Sequence, residues 1–209
     1  MPCHHKFVKD LNLENLDFEP TALIVGTFNP AWPESNTAKW FYGRTQNNYF
    51  WDVLPRLYNE PSLLNASPKD WKAFCQRHKI AITDLISCVV DANSPKDDKV
   101  MGAYSDEKIA KDFNEHIFTQ IVSLLEKHPS IKYVYLTRGS APTFWAKLWR
   151  PVKSFCKLNK LKEDILLTPS GYAFYQQGRY NNNNPYQPIS NLSDFILKSW
   201  QEKWHKIDF

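Results

Sequence analysis

The chain has 209 residues, enough for one domain with a substantial core. Its longest apolar runs are about five residues, far below the roughly 20 that a membrane-spanning helix needs. A net charge of +4 permits a nucleic acid partner without indicating one. The first residues lack the apolar segment of a secretory signal, and no Gly/Ser-rich linker divides the chain. We therefore expect a monomeric, intracellular (cytoplasmic) protein with a single domain over residues 1–209.

The cysteines are spread along the chain without a Cys-x-x-Cys pair; they are Cys3, Cys75, Cys88 and Cys156. Their spacing suits none of the usual iron–sulfur patterns, and a disulfide framework is untypical of an intracellular chain of this size. We expect four buried small hydrophobes and no metal or organic cofactor. Cys3-His4-His5 could bind a metal adventitiously, but a frayed terminus is the simpler interpretation.

Four short apolar runs predict a parallel β-sheet. They cover about residues 22–25, 80–85, 132–136 and 165–167. Leu, Ile and Val without alternation are typical of strands buried on both faces, as in a sheet covered by helices. Helical segments between the strands imply parallel pairing through right-handed crossovers. The predicted fold is α/β, a three-layer α/β/α sandwich around a short, mainly parallel four-stranded sheet.

Periodicity and capping residues predict the helices. Two short helices are expected over about residues 49–58 and 69–78, a long one over 106–127, and a last one over 193–204. A further helix is expected to begin at Ser140 as N-cap, with Pro142 in its first turn. Residues 93–98 and 181–184 are polar runs that we interpret as loops.

Polar side chains follow the first and last predicted strands. In parallel sheets ligands bind beyond the carboxyl ends of the strands, so Asn29, Thr168 and Ser170 are expected on one edge. Gly26, Gly139 and Gly171 stand at or near the same turns; they are interpreted either as glycines that tight turns need or as places where a backbone approaches a ligand. We favour a binding site at this edge.

The segment Trp40-Phe-Tyr-Gly-Arg-Thr-Gln-Asn-Asn-Tyr-Phe-Trp51 is rich in rings and amides. The amide of Asn48 could orient a water or bind the edge of a base, and Phe50 could stack on a flat ring. By pattern alone the same residues are also explained as a helix N-cap at Asn48 and core anchors at Phe50 and Trp51. Both interpretations stay open at this level.

Five motifs stand at the strand ends in a fixed order. They read Gly26-Thr-Phe-Asn-Pro30, Asn48-Tyr-Phe-Trp51, Ile80-Ala-Ile-Thr-Asp-Leu85, Leu136-Thr-Arg-Gly-Ser-Ala141 and Thr168-Pro-Ser-Gly171. Together they resemble the motifs of the uracil-DNA glycosylase superfamily, nearest to its mismatch-specific and hypoxanthine-type branches, over about residues 22–200. The resemblance implies a uracil-DNA-glycosylase-like fold and a DNA glycosylase of base-excision repair, acting on uracil or hypoxanthine.

The resemblance also implies roles for individual residues. Asn48 matches the catalytic Asn of the hypoxanthine-type branch, and Asn29 is the second catalytic candidate. The expected base-binding residues, with Phe50 stacking on the flipped ring, are Phe50, Gly26, Thr27 and Phe28. The expected DNA-binding residues are Ser170, Thr168, Gly171, Tyr172, Arg44, Arg179 and Ser140.

The first motif contains no acidic residue, and the last lacks the His of uracil-specific enzymes. We therefore expect no strong base, with most acceleration from stabilising the departing base and the sugar cation. No Lys lies within the motifs, so a monofunctional enzyme is expected.

A hydrolase using Ser170 as nucleophile lacks the Gly-x-Ser-x-Gly turn and any positioned His or Asp partner. A non-catalytic nucleic-acid or nucleotide-binding domain on the same fold stays open, because fold does not fix function.

Overall fold

The computed structural model describes residues 1–44, 47–138 and 143–204. The strands of this part are β1 (Cys3–His4), β2 (Ala22–Gly26), β3 (Ile80–Asp84), β4 (Ile86–Val89), β5 (His116–Phe118), β6 (Tyr133–Leu136) and β7 (Lys162–Ile165). The α-helices are α1 (Phe50–Leu57), α2 (Pro68–Arg77), α3 (Asp98–Gly102), α4 (Asp106–Asp112), α5 (Ile121–Lys127), α6 (Thr143–Leu158), α7 (Ala173–Asn183) and α8 (Leu192–Gln201).

The larger sheet has four parallel strands in the order β3-β2-β6-β7. β2 and β3 are buried along their whole length, which explains the unbroken apolar sequence of β2 and the apolar start of β3 before Thr83 and Asp84. Alternate residues of β2 enter two cores: Leu23 and Val25 pack on the side of α4, α5 and α6, whereas Ala22 and Ile24 pack on the side of α1, α2 and α8. The predicted α/β/α fold with a four-stranded parallel sheet is confirmed.

A second, antiparallel sheet was not predicted. It has the strand order β1-β4-β5, and β4 begins two residues after β3 ends. The apolar run that begins at Ile80 therefore crosses from one sheet to the other. The N-terminal segment is part of this sheet: Cys3 and His5 are almost fully buried, so the expected frayed terminus was wrong.

The single long helix expected over residues 106–127 was also wrong. The chain leaves the helix at Phe113, which has extended φ and ψ of −124° and 145°, then forms β5 and only afterwards α5. The Asp91 carboxylate accepts the backbone N–H groups of Asn114 and Glu115, and residues 116–118 pair with β4. These contacts replace the helical hydrogen bonds that the periodicity of the apolar residues had suggested.

Two boundaries in the last third differ from expectation. The last strand was expected at 165–167 but occupies Lys162–Ile165, because an edge strand can carry the charged residues that an apolar pattern overlooks. Residues 181–183, expected in a loop, belong to α7. That helix buries Ala173 and Gln177, and the Gln177 amide donates to the backbone oxygens of Ile189 and Ser190, so α7 lacks an apolar stripe.

Ile109 and Ile117 provide a test of the broken helix. Both lie within the single helix expected over residues 106–127, where a spacing of eight residues would place them on one face, but Ile109 is 1% exposed and Ile117 is 53% exposed. Ile109→Ala should lower the free energy of unfolding by about 2–5 kcal/mol, as for other buried aliphatic truncations. Ile117→Ala is the matched control and should cost less than about 1 kcal/mol. Equal losses in urea denaturation would contradict the observed break.

The four cysteines are free and buried. Burial raises the pKa of the Cys3 and Cys156 thiols to about 11 and that of Cys75 still further. A thiol with that pKa is about one part in a thousand thiolate at pH 8, and only the thiolate reacts. Thiol labelling of the native protein should therefore be slow and accelerate as the pH rises towards 11, whereas the denatured chain should label at four sites at once. Rapid native labelling at pH 7–8 would contradict this burial.

Candidate active site

A cavity of about 100 Å³ lies at the carboxyl end of the parallel sheet. All four strands lead to its wall: β3 ends at Asp84, and other lining segments follow β2, β6 and β7. Tyr104 and Asp106 come from the segment between β4 and β5. The described lining residues are Thr27, Phe28, Asn29, Tyr42, Arg44, Asn48, Asp84, Tyr104, Asp106, Thr137, Thr168, Pro169 and Ser170. The structure thus brings together Asn29, Asn48, Thr168 and Ser170 from distant parts of the sequence.

The Asp84 carboxyl group is buried and held by two donors. Oδ2 lies 2.8 Å from Nε2 of His5 and accepts a hydrogen bond of 2.7 Å from Nδ2 of Asn29. Nδ1 of His5 accepts the backbone N–H of Phe7, so the ring proton sits on Nε2 and is donated to Asp84. Neither Asp84 nor His5 was expected in the site from the sequence: the first motif contains no acid, whereas β3 supplies one to the same cavity.

Gly26 lies behind the cavity wall rather than lining it. A Cβ at this position would clash with Oδ1 of Asp84 and come within 2.5 Å of the Tyr42 hydroxyl. Glycine is therefore needed here because a carboxylate and a ring close over the backbone. Its neighbours Thr27 and Phe28 do line the cavity.

Phe50 cannot stack on a bound base without rearrangement, so that expectation is corrected. Its side chain is fully buried, and the Tyr42 ring covers it at 3.9 Å between ring centroids with an angle of 4° between the planes. Tyr42 is the ring that lines the cavity. Its hydroxyl lies 2.7 Å from Oγ1 of Thr137, which in turn donates to the backbone oxygen of Val25. Burial raises the pKa of Tyr42, with the Asp84 charge adding to the effect.

A second carboxyl group in the cavity wall is that of Asp106, at the start of α4. Oδ1 accepts the Thr27 hydroxyl at 2.7 Å, and Oδ2 pairs with Arg138. Burial raises the pKa of Asp106, while Arg138 and Thr27 oppose the rise. Asp106 fixes the Thr27 hydroxyl, whose oxygen can still accept a hydrogen bond from a ligand.

Asn48 combines the two roles that the sequence left open. Its side-chain oxygen accepts the backbone N–H of Phe50 at the start of α1, and its amide lines the cavity. Backbone pairing joins this segment to the turn after β7: Asn48 pairs with Ser170, and the Tyr49 N–H donates to the Pro169 oxygen at 2.7 Å. These contacts bring the second and last motifs to the same place.

The remaining expected DNA-binding residues lie in different environments. Thr168 and Ser170 share a 3.0 Å contact between their hydroxyl oxygens inside the cavity, and Gly171 follows them. Tyr172 is exposed at the N-cap of α7, and Arg179 is exposed on the same helix. Arg44 lies in the cavity wall with its guanidinium 3.7 Å from the Tyr104 ring centroid, and burial lowers its pKa. Ser140 and Gly139 lie outside the described residues.

Among the described residues, no three His, Cys, Asp or Glu side chains are placed to hold a metal ion. The lining set is one of amides, hydroxyls, carboxylates and rings, which suits recognition of a polar, planar molecule by hydrogen bonds and stacking. Within the same residue ranges, no helix combines the length and apolar character that a bilayer crossing needs.

No family model and no curated protein matches the sequence. Among solved structures, a solution NMR structure of a protein from Methanosarcina acetivorans, provisionally described as a uracil DNA glycosylase, matches with a TM-score of 0.53. The match covers 91% of this chain and 94% of that one, at 15% sequence identity. The fold is of the uracil-DNA-glycosylase type. This match confirms the fold that the motifs implied.

The pair formed by His5 and Asp84 leads to a stability prediction. His5→Ala leaves a buried carboxyl group with one donor fewer, and should lower the free energy of unfolding by about 1.5–3 kcal/mol. His4→Ala is the control, because His4 is the exposed neighbour of His5 and lies at the end of β1. Urea denaturation of both variants measures the difference. A similar loss in the two variants would show that the N-terminal segment in general, rather than the buried pair, accounts for the lost stability.

Proposed function

We propose that the protein is a monofunctional DNA glycosylase that hydrolyses the N-glycosidic bond of a flipped damaged or mismatched base, with uracil and hypoxanthine as the candidate bases. The observation that carries the proposal is the cavity at the strand ends, which has a ring on one side and amides, hydroxyls and carboxyl groups around it. The chain shares its fold with the Methanosarcina acetivorans protein described above, and its five motifs resemble those of the uracil-DNA glycosylase superfamily.

The cavity size favours a single base. The cavity volume of about 100 Å³ is well below the roughly 300 Å³ at which sites for drug-sized molecules begin. A base pair therefore does not fit. A base inside a duplex would have to leave the stack to enter, at a cost of a few kcal/mol that is lower for mispaired or damaged bases.

Tyr42, rather than Phe50, is the ring that we propose stacks on the flipped base. Its ring lines the cavity and is backed by the parallel Phe50 ring, which keeps it in place. Asn29 faces the same space; since its NH₂ group donates to Asp84, its oxygen can accept an N–H from the edge of a base. Thr27 and the backbone near Phe28 complete the expected edge contacts.

Asp84 and Asn48 are the proposed catalytic groups. The two donors fix Oδ2 of Asp84, and a carboxylate at this point would accept a proton from the attacking water and stabilise positive charge on the sugar. Asn48 would position that water. The mechanism thus includes an acidic residue that was absent from the expectation based on the first motif. Asn29 then acts chiefly by holding Asp84.

The mouth of the cavity is suited to the DNA backbone. The Thr168 and Ser170 hydroxyls would bind phosphates next to the flipped nucleotide, and Gly171, whose N–H donates to the Asn47 backbone oxygen, would hold the turn that carries them. Tyr172, 60% exposed just beyond them, would fill the gap left in the stack, and Arg44 would meet the flipped nucleotide from inside the cavity. No lysine is among the described lining residues, so the proposal includes no Schiff base and no strand cleavage.

Glycosylase assays test the proposal directly. Labelled oligonucleotides would carry uracil, mispaired uracil or hypoxanthine in single and double strands, and alkali would reveal abasic sites. Asn48→Ala should lower kcat about 10²–10³-fold, and Asp84→Asn about 10²–10⁴-fold, with oligonucleotide affinity retained. Asn114→Ala and Asp112→Asn, at exposed positions, are the matched controls and should keep full activity.

The outcome separates the two functions. Abasic sites from the wild type and the controls, but not from the Asn48 and Asp84 variants, would support the enzyme and its catalytic groups. Binding without product on every substrate would reject it for these lesions and favour a non-catalytic nucleic-acid-binding domain.

A further inference from the structure

We propose that the exposed side of α7 is a stacking platform for unpaired bases next to the cavity, so that the preferred partner is single-stranded or locally unpaired DNA. This inference rests on the proposed function for the identity of the ligand. It goes further by naming the strand state, and by assigning Phe174, Tyr175 and Arg179 to the nucleotides that flank the flipped one.

The platform consists of three exposed rings. Tyr172, Phe174 and Tyr175 expose 60%, 64% and 69% of their surfaces. The Tyr175 ring centroid lies 5.7 Å from that of Tyr172 and 6.5 Å from that of Phe174, at angles of 57° and 74° between the planes. Soluble proteins rarely leave contiguous aromatic surface exposed unless it meets a partner.

Helix geometry arranges these rings around a groove. Tyr172, Tyr175 and Arg179 follow one another at spacings of three and four residues and so share one helix face. Phe174 and Gly178 form the adjacent row, and a Cβ at Gly178 would meet nothing within 4 Å. The resulting shallow groove has a volume of about 580 Å³ between the rings and Arg179. A flat base could enter it edge-on beside the glycine.

The charge of the segment favours a polyanion. From residue 165 to residue 193 the sequence contains no Asp or Glu, and Arg179 is the only Lys or Arg. The other polar groups of α7 are mainly amides, which can bind both phosphates and bases. An Arg beside exposed rings is a combination that single-strand binding surfaces use, since it meets phosphates and stacks on bases.

The platform is continuous with the cavity. Ser170 lines the cavity, and Tyr172 follows two residues later; the Ala173 and Phe174 N–H groups donate to the backbone oxygens of Ser170 and Gly171. A strand leaving the cavity at Ser170 therefore meets Tyr172 first and the other rings next. In a duplex, flipping one base frees only the gap it leaves, which a single ring fills. Several rings at different angles need several exposed base faces, which an unpaired strand supplies.

Binding measurements without catalysis test the platform. Fluorescence anisotropy would compare lesion-free single-stranded and duplex oligonucleotides of one sequence, with wild type, Phe174→Ala and Tyr175→Ala. Tyr186→Ala is the control, because Tyr186 is 97% exposed but lies outside the platform. Each platform variant should weaken single-strand binding about five- to 150-fold, the equivalent of one lost base stack, and should leave duplex binding nearly unchanged. Quenching of 2-aminopurine placed within the single-stranded oligonucleotide should fall in the same variants.

The results bear on the two proposals separately. Tighter single-strand binding that depends on Phe174 and Tyr175 but not on Tyr186 supports the platform, even if no base is excised and the enzyme proposal fails. Equal affinity for both strand states, unchanged binding in the platform variants, or an equal loss in the Tyr186 variant would overturn the platform, even if the wild type excises bases.

Discussion

The cavity depends on one buried carboxyl group, that of Asp84. A buried carboxylate is costly unless hydrogen-bond donors surround it, and here the donors come from His5 and Asn29. The third neighbour is Gly26, which has no side chain and so leaves room for Oδ1. Satisfying this one group therefore fixes the N-terminal segment, the turn after β2 and the end of β3 at a common point.

Stacked rings connect the cavity wall with the core behind it. Tyr42 lies flat on Phe50, Phe50 meets Trp51 edge-on at 5.0 Å, and Trp51 stacks on Trp71 at 5.2 Å. A ring that contacts a ligand on one face and a packed core on the other loses little further freedom when the ligand binds. Such preorganisation reduces the entropic cost of holding a flat base.

The parallel sheet was predictable because burial on both faces leaves unbroken apolar runs such as that of β2. The second sheet was not, since β1 and β5 are two and three residues long and gain their partners only through tertiary pairing. For the cavity, Asn48, Asn29 and Ser170 could be nominated because they stand at strand ends within motifs. Asp84 and His5 could not be paired from sequence, because they lie 79 residues apart and His5 precedes every recognisable motif. The sequence also could not show that Tyr42, and not Phe50, lines the cavity. That depends on which of the two rings packs over the other in the folded chain.

The small antiparallel sheet has a consequence for the order in which the structure opens. Its strand β1 leads directly into His5. The chain between its other two strands, β4 and β5, carries Asp106 to the cavity. Both pairings are short, so this sheet is suited to open as a local unit while the parallel strands stay protected from hydrogen exchange. Such an opening would remove a donor from Asp84 and the partner of Thr27 in one event. The cavity of the opened form would keep Asn29, Asn48 and Ser170 but would lack Asp106 and the hydrogen bond from His5 to Asp84.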